Sequence, residues 1–207
     1  MSLATAERFA KEGFQIVLSA RNTDKTQGLA DQLKTKGYKA DVRMVDASDA
    51  SSIASMVADV EKSFGGIEVM HYNVASMRRA TITEQPRETF NQDLAVNIGG
   101  ALAAAQAVIP KMSERGSGAI LLTGGAYSMK PNPDYLSLSI GKAGIRALAY
   151  GLFESLAQNG IHIATVTVAA TLVPGSKEVD AVAEHFWNLY SQPKSEWAAE
   201  VIARANE

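Results

Sequence analysis

The chain has 207 residues, of which 46% are apolar, a formal net charge of −2 and no cysteine. That length supports one domain with a substantial core, the near-neutral charge argues against nucleic acid or an anionic membrane as a partner, and the lack of cysteine excludes disulfides, thiol nucleophiles and cysteine metal sites. The histidines His71, His162 and His185 lie far apart and read as structural or surface residues rather than metal ligands. No apolar run reaches the ~20 residues of a membrane span and no signal peptide is evident, so a soluble cytoplasmic protein is the expectation.

In chain order, the apolar period alternates between helix-like and strand-like, which predicts an α/β fold with a parallel sheet in one domain spanning 1–207. Residues 4–12 read as a short helix stopped by Gly13. Residues 14–20 form a continuous apolar run, a buried strand. Residues 24–36 carry a helical stripe through Leu29 and Leu33, and 40–45 are a strand. Asp49 precedes a helix with Ile53, Met56, Val57 and Val60 on one face, closed by Gly65 and Gly66. A strand at 67–72 leads through a loop to a long helix over 86–112. Its stretch 98–108 is apolar almost all round, which predicts a partner helix as well as the sheet. Then follow a strand at 119–123, a helix at 134–158, a strand at 161–168, and helices at 179–190 and 195–205. Arg78 and Arg79 are adjacent and read as a solvated loop face.

Four positions in this order matter together: Arg21 just after the first strand, Asp46 in Val45-Asp46-Ala47, Asn73 in Tyr72-Asn73-Val74-Ala75, and Asn97 in Val96-Asn97-Ile98-Gly99. Lys142 follows on a later helix. Their order and spacing resemble the short-chain dehydrogenase/reductase family over essentially the whole chain. The resemblance implies a doubly wound, Rossmann-like parallel sheet. It also implies an NAD(P)(H)-dependent oxidoreductase acting on a small carbonyl or alcohol. Arg21 would face the 2′-phosphate of NADP; Asp46 with Ala47 would meet the adenine; Asn73 and Lys142 would contact the cofactor; and Asn97 would anchor a water in a proton relay.

Several family features are absent. The segment Tyr135-Leu136-Ser137-Leu138-Ser139-Ile140-Gly141-Lys142 keeps the lysine, but Leu138 stands where the reactive tyrosine belongs. The strand 119–123 runs into Gly124 and Gly125, where the family serine is expected. Neither leucine nor glycine can exchange a proton. Tyr135, two helical turns before Lys142, is the candidate for a displaced acid, and Tyr127 is a weaker one. The Asn-Ala-Gly motif reads Asn73-Val74-Ala75, and the Pro-Gly after the late strand reads Ala169-Ala170.

Only Met1-Ser2-Leu3 precedes the first helix, whereas the family opens with a strand and a glycine-rich turn that admits the pyrophosphate. That strand would lie centrally, between 14–20 and 67–72. Its omission would remove about four buried side chains, at ~1.5–3 kcal/mol each. The expectation is therefore that the gap does not stay open: the flanking strands pair, a neighbouring chain inserts, or the natural chain carries further residues. The last is favoured. Chemistry divides into an NADP-dependent oxidoreductase with Asn97, Lys142 and Tyr135 as its proton-handling residues, and a non-catalytic member or fragment binding a nucleotide or partner subunit. The loops 76–85 and 171–177 should border a substrate pocket, which Met77, Met129, Tyr127 and Tyr135 suggest is apolar. The resemblance further implies a homodimer through 86–112 and 134–158, since Gly99, Gly100, Ala101, Ala103, Ala104 and Ala105 permit close helix approach.

Overall fold

A computed structural model describes residues 1–204. Six strands and seven α-helices alternate along the chain: α1 (Ser2–Lys11), β1 (Ile16–Ala20), α2 (Thr23–Thr35), β2 (Ala40–Met44), α3 (Ala50–Phe64), β3 (Val69–Tyr72), α4 (Arg87–Leu94), α5 (Gly100–Arg115), β4 (Gly118–Thr123), α6 (Leu136–Gln158), β5 (Ile161–Ala169), α7 (Lys177–Ser191) and β6 (Glu200–Arg204). All strand pairs are parallel. Local chemistry sets many of the boundaries. Asn22 caps α2 by accepting from Lys25 N–H at 3.0 Å, and Asp49 caps α3 by accepting from Ser51 N–H at 2.9 Å; each satisfies an amide with no intrahelical partner. Gly65 and Gly116 end α3 and α5 with φ of 82° and 69°, a left-handed conformation that favours glycine.

Three layers result, because successive side chains of a strand face opposite sides. On one face Ile120, Leu122, Ile161 and Ile163 pack with α3, α5 and α6. On the other, Leu121, Ala164 and Val166 pack with α1, α2 and α7. The expected partner helix of the apolar stretch 98–108 is α3, which packs along α5. Helix Arg87–Arg115 is, by length and composition, apolar enough to cross a membrane, which corrects the reading that no segment is. In the fold it forms one wall of the core, with Ala101, Ala105, Val108 and Met112 fully buried.

The sheet is broken in two. One part has the order β1-β2 and the other β3-β4-β5-β6, with no pairing between β1 and β3. Of the three ways in which the gap could close, direct pairing of the flanking strands does not occur. A slot of about 460 Å³ remains between them, lined among others by Phe9, Ile16, Leu18, Ile53, Val57 and His71. β1 and β3 each have an unpaired edge, and residues of both line the slot. Asn73 at the carboxyl end of β3 donates from Nδ2 to Ser2 Oγ, so α1 begins at that end of the slot.

A second correction concerns the C-terminal helix expected at 195–205. Residues Lys194–Glu196 form a single 3₁₀ turn, and Glu200–Arg204 form β6, paired in parallel with Thr165–Ala169; residue 205 lies outside the described residues. The alanines suit a helix, but β5 offers an unpaired edge there, and Val201 and Ile202 are β-branched residues that fit a pleated surface. Thr165 N–H donates to Ala199 O at 2.9 Å to open the ladder. The long helix is also not uniform: between α4 and α5, Ala95–Gly99 forms a π-helical turn, a feature often found at functional sites.

Candidate active site

At the carboxyl ends of β3 and β4, three backbone positions require glycine for close approach. A Cβ on Gly141 would fall 2.3 Å from Asn97 Cβ, so glycine lets α6 lie directly on the π-helical turn. One residue on, Lys142 is thereby delivered to the end of β4. At Gly100 a Cβ would meet Ala47 O at 2.2 Å and Tyr72 OH at 2.4 Å, and at Gly124 Thr167 Oγ1 at 2.6 Å. Tyr72 OH in turn donates to Val96 O at 2.5 Å, fastening β3 to the π turn.

Lys142 is 8% exposed and donates from Nζ to Thr123 O at 2.6 Å. Burial pushes its amine down to about 8 from 10.5, since desolvation disfavours the charged form. Beside it on β3, His71 Nε2 lies 3.0 Å from Thr123 Oγ1, and its ring stacks obliquely on Phe186 at 4.3 Å. Desolvation first, and the Lys142 charge second, push His71 down to about 4. Its side chain is half-buried and lines the slot, so solvent reaching it would weaken this effect.

The sign follows from proton counting. Below 6.5 the unfolded chain protonates this histidine while the folded chain resists until about 4, so stability falls across that window as pH drops. Urea unfolding from pH 7 to pH 4 should therefore show a loss on the order of 1–3 kcal/mol that His71→Gln removes. Identical pH profiles for the two proteins would contradict this.

The residues singled out from the sequence are not all brought together. Arg21 and Asp46 follow β1 and β2, adjacent in the sheet, and the guanidinium charge reaches the carboxylate. Asp46 Oδ1 also accepts from Ser48 Oγ at 2.7 Å and Ser48 N–H at 2.9 Å, and these bonds hold its carboxyl below the usual range. Ala47 packs against the core with its carbonyl facing Gly100. Asn97 is buried, with both amide groups turned to Ser76: Oδ1 accepts from Ser76 N–H at 2.6 Å and Nδ2 donates to Ser76 O at 3.1 Å. The amide keeps a second N–H and a second lone pair beyond this pairing. Tyr135 precedes α6 and stacks on Tyr127 at 5.8 Å, while Tyr127 OH accepts from Asn132 Nδ2 at 3.3 Å. Leu138 is 5% exposed, and Gly125 is fully extended at φ −171°.

Sequence reasoning missed the cluster around Asp93. Its carboxylate, 2% exposed, accepts from Ser76 Oγ at 2.5 Å, Gln85 Nε2 at 2.8 Å, Ser137 Oγ at 3.0 Å and Arg78 Nε at 3.1 Å. Burial alone would raise its pKa, but these bonds outweigh that and hold it low. The loop 76–85 is thus tied to α4 and α6. Asp93 lies four residues before Asn97 on the same helical face, which was the one available signal. Arg78 and Arg79, read as solvated, are ion-paired to Asp93 and Asp134.

This arrangement is a Rossmann-like α/β fold with parallel strands and helices on both faces. The sequence model for short chain dehydrogenases matches residues 1–183, and the chain belongs to that family. An uncharacterized oxidoreductase of Staphylococcus aureus is 26% identical over 211 residues, covering 97% of this chain and 90% of the relative. A glucose 1-dehydrogenase of Gluconobacter oxydans is 29% identical over 173 residues, covering 83% of this chain and 65% of the relative. Among solved structures, a short-chain dehydrogenase from Rhodopseudomonas palustris superposes with a TM-score of 0.89 at 25% identity, over 98% of this chain and 92% of that one. A metagenomic short-chain oxidoreductase in complex with NADP shares the fold with a TM-score of 0.89 at 22% identity, over 99% and 91%.

Proposed function

We propose that the chain is an NADP(H)-dependent oxidoreductase acting on a small, apolar carbonyl compound or the corresponding alcohol. The observation that carries this is Lys142, an amine kept buried at the end of β4 with no carboxylate against it among the described residues. A desolvated amine without a counter-charge is costly, and such groups concentrate at functional sites. The residues fit the two ends of the cofactor. Arg21 is suited to the 2′-phosphate through paired N–H bonds, and the Ala20-Arg21-Asn22 turn has no acid to hold a 2′-hydroxyl instead. Asp46 and Ala47 would border the adenine; Asn73 and Lys142 would hold the ribose and nicotinamide side. When bound, the cofactor supplies or takes a hydride. The chain's own part is to orient the carbonyl and manage the proton, with Tyr135 or a water held near Lys142 in place of the absent phenol. Exposed Met77, Met129 and Val173, on loops after β3, β4 and β5, support an apolar substrate.

Calorimetric titration with NADPH and NADH tests this reading. NADPH should bind in preference to NADH, weaker than micromolar, and Arg21→Ala should abolish the preference. Submicromolar binding of either by this 207-residue chain would contradict the weak affinity expected. Binding without any turnover would favour the second reading, a non-catalytic nucleotide- or partner-binding member, for which the buried Leu138 speaks.

The same reading gives a twofold dimer through 86–112 and 134–158. Leu102, Ile140 and Tyr150 are large apolar side chains left exposed on α5 and α6, and such clustering marks association surfaces. Light scattering should report a dimer; a monomer at high protein concentration would contradict it.

A further inference from the structure

Lys142 differs from every other lysine of the chain. The other ten are exposed, at positions 11, 25, 34, 36, 39, 62, 111, 130, 177 and 194, whereas this one is buried. Its Nζ is oriented by a single backbone acceptor, Thr123 O at 2.6 Å. The groups facing it from neighbouring elements carry no negative charge: Thr123 on β4, Gly125 after it, Asn97 across the Gly141 contact, and His71 on β3, which stays neutral at physiological pH. One turn back on its own helix stands Leu138, apolar and buried. Gly125 borders the lysine stem, since a Cβ there would rest 3.5–3.7 Å from Lys142 Cγ, Cδ and Cε, at ordinary contact distance.

We propose that Lys142 is a nucleophilic amine that captures a small apolar aldehyde as an imine, an activity separate from hydride transfer and needing no cofactor. The Nζ lone pair attacks the carbonyl carbon, and a proton passes from nitrogen to the former carbonyl oxygen, giving a carbinolamine. Loss of that oxygen as water leaves a carbon–nitrogen double bond, so one amine and one aldehyde give one imine and one water with no change of oxidation state. Desolvation is what makes a lysine competent for this step, because only the neutral amine attacks. The lowered pKa of about 8 agrees with the geometry. A solvated ammonium near 10.4 presents a far smaller neutral fraction at the same pH.

The test incubates the intact chain with hexanal and sodium cyanoborohydride, which reduces an imine to a stable secondary amine, and maps adducts by peptide mass spectrometry. The ten exposed lysines serve as internal controls. Lys142 should be modified at least about tenfold faster than their mean at pH 7.5, with half-maximal labelling near pH 8. Adding urea to unfold the chain should erase the preference, a control that does not depend on any variant folding. Gly125→Val, which crowds the lysine stem, should slow labelling of Lys142 and leave the exposed lysines unchanged. Labelling of Lys142 at or below the exposed mean would overturn the proposal, as would a preference that survives unfolding or a labelling midpoint at or above pH 10.

Discussion

Fusing a five-residue apolar strand and a glycine-rich turn ahead of Met1 should raise the melting temperature by roughly 5–15 °C. The slot supplies the reason. β1 is five residues long, and both β1 and β3 are edge strands whose residues line the intervening space. A parallel strand placed there ends beside Ser2, where α1 begins, so a tight turn can join the two. Burial of about four side chains at ~1.5–3 kcal/mol each stands against ordering about five residues at ~1–2 kcal/mol each. The balance is a few kcal/mol, to which two new ladders of hydrogen bonds add. The turn should also tighten NADPH binding by at least about tenfold, because it brings backbone N–H groups to the pyrophosphate. A matched fusion with charged residues at the inward positions should not stabilise. An unchanged melting temperature for the apolar fusion would mean that the slot is not competent to pair.

On that completed scaffold, Leu138→Tyr with Gly125→Ser should increase carbonyl reduction by at least ~10²-fold. Residue 138 lies one helical turn before Lys142, so a phenol there feels the ammonium and loses pKa from its intrinsic ~10. Gly125 tolerates a serine, since it is extended and a Cβ meets Lys142 only at ordinary contact distance. Gly124 does not, because Thr167 Oγ1 would be 2.6 Å away. A gain on a panel of aldehydes and ketones identifies the scaffold as a dormant reductase. No gain despite measured NADPH binding would make the non-catalytic reading the better one. Substantial turnover before repair, lost in Tyr135→Phe, would instead identify the displaced tyrosine as the acid.

Element order was legible because period and punctuation agree: Asp49 and Gly65 stand where α3 begins and ends. Residues 195–205 were misread because their pattern is locally helical, while the free edge of β5, a long-range feature, decides for strand. The place of the slot was legible, because the sequence lacks a strand between 14–20 and 67–72, and the flanking strands stay unpaired there. At the site, Lys142, Arg21 and Asp46 could be placed from local motifs. The ties of Asp93 and Asn97 to Ser76 could not, since they join residues 17 and 21 positions apart through a loop with no periodic signal. Lys142's lack of a counter-charge was likewise invisible, being a property of what four separate elements do not bring near it.

The central claim is that, once the cofactor is bound, Leu138 and Gly125 are what hold back turnover. Single-turnover oxidation of NADPH under saturating aldehyde, on the strand-completed chain with and without L138Y/G125S, isolates that step from cofactor binding. The account predicts slow transfer in the unrepaired protein and a rate at least ~10²-fold higher after repair, with the gain lost on adding Lys142→Met. Equal rates in the two proteins, with NADPH bound to both, would contradict it.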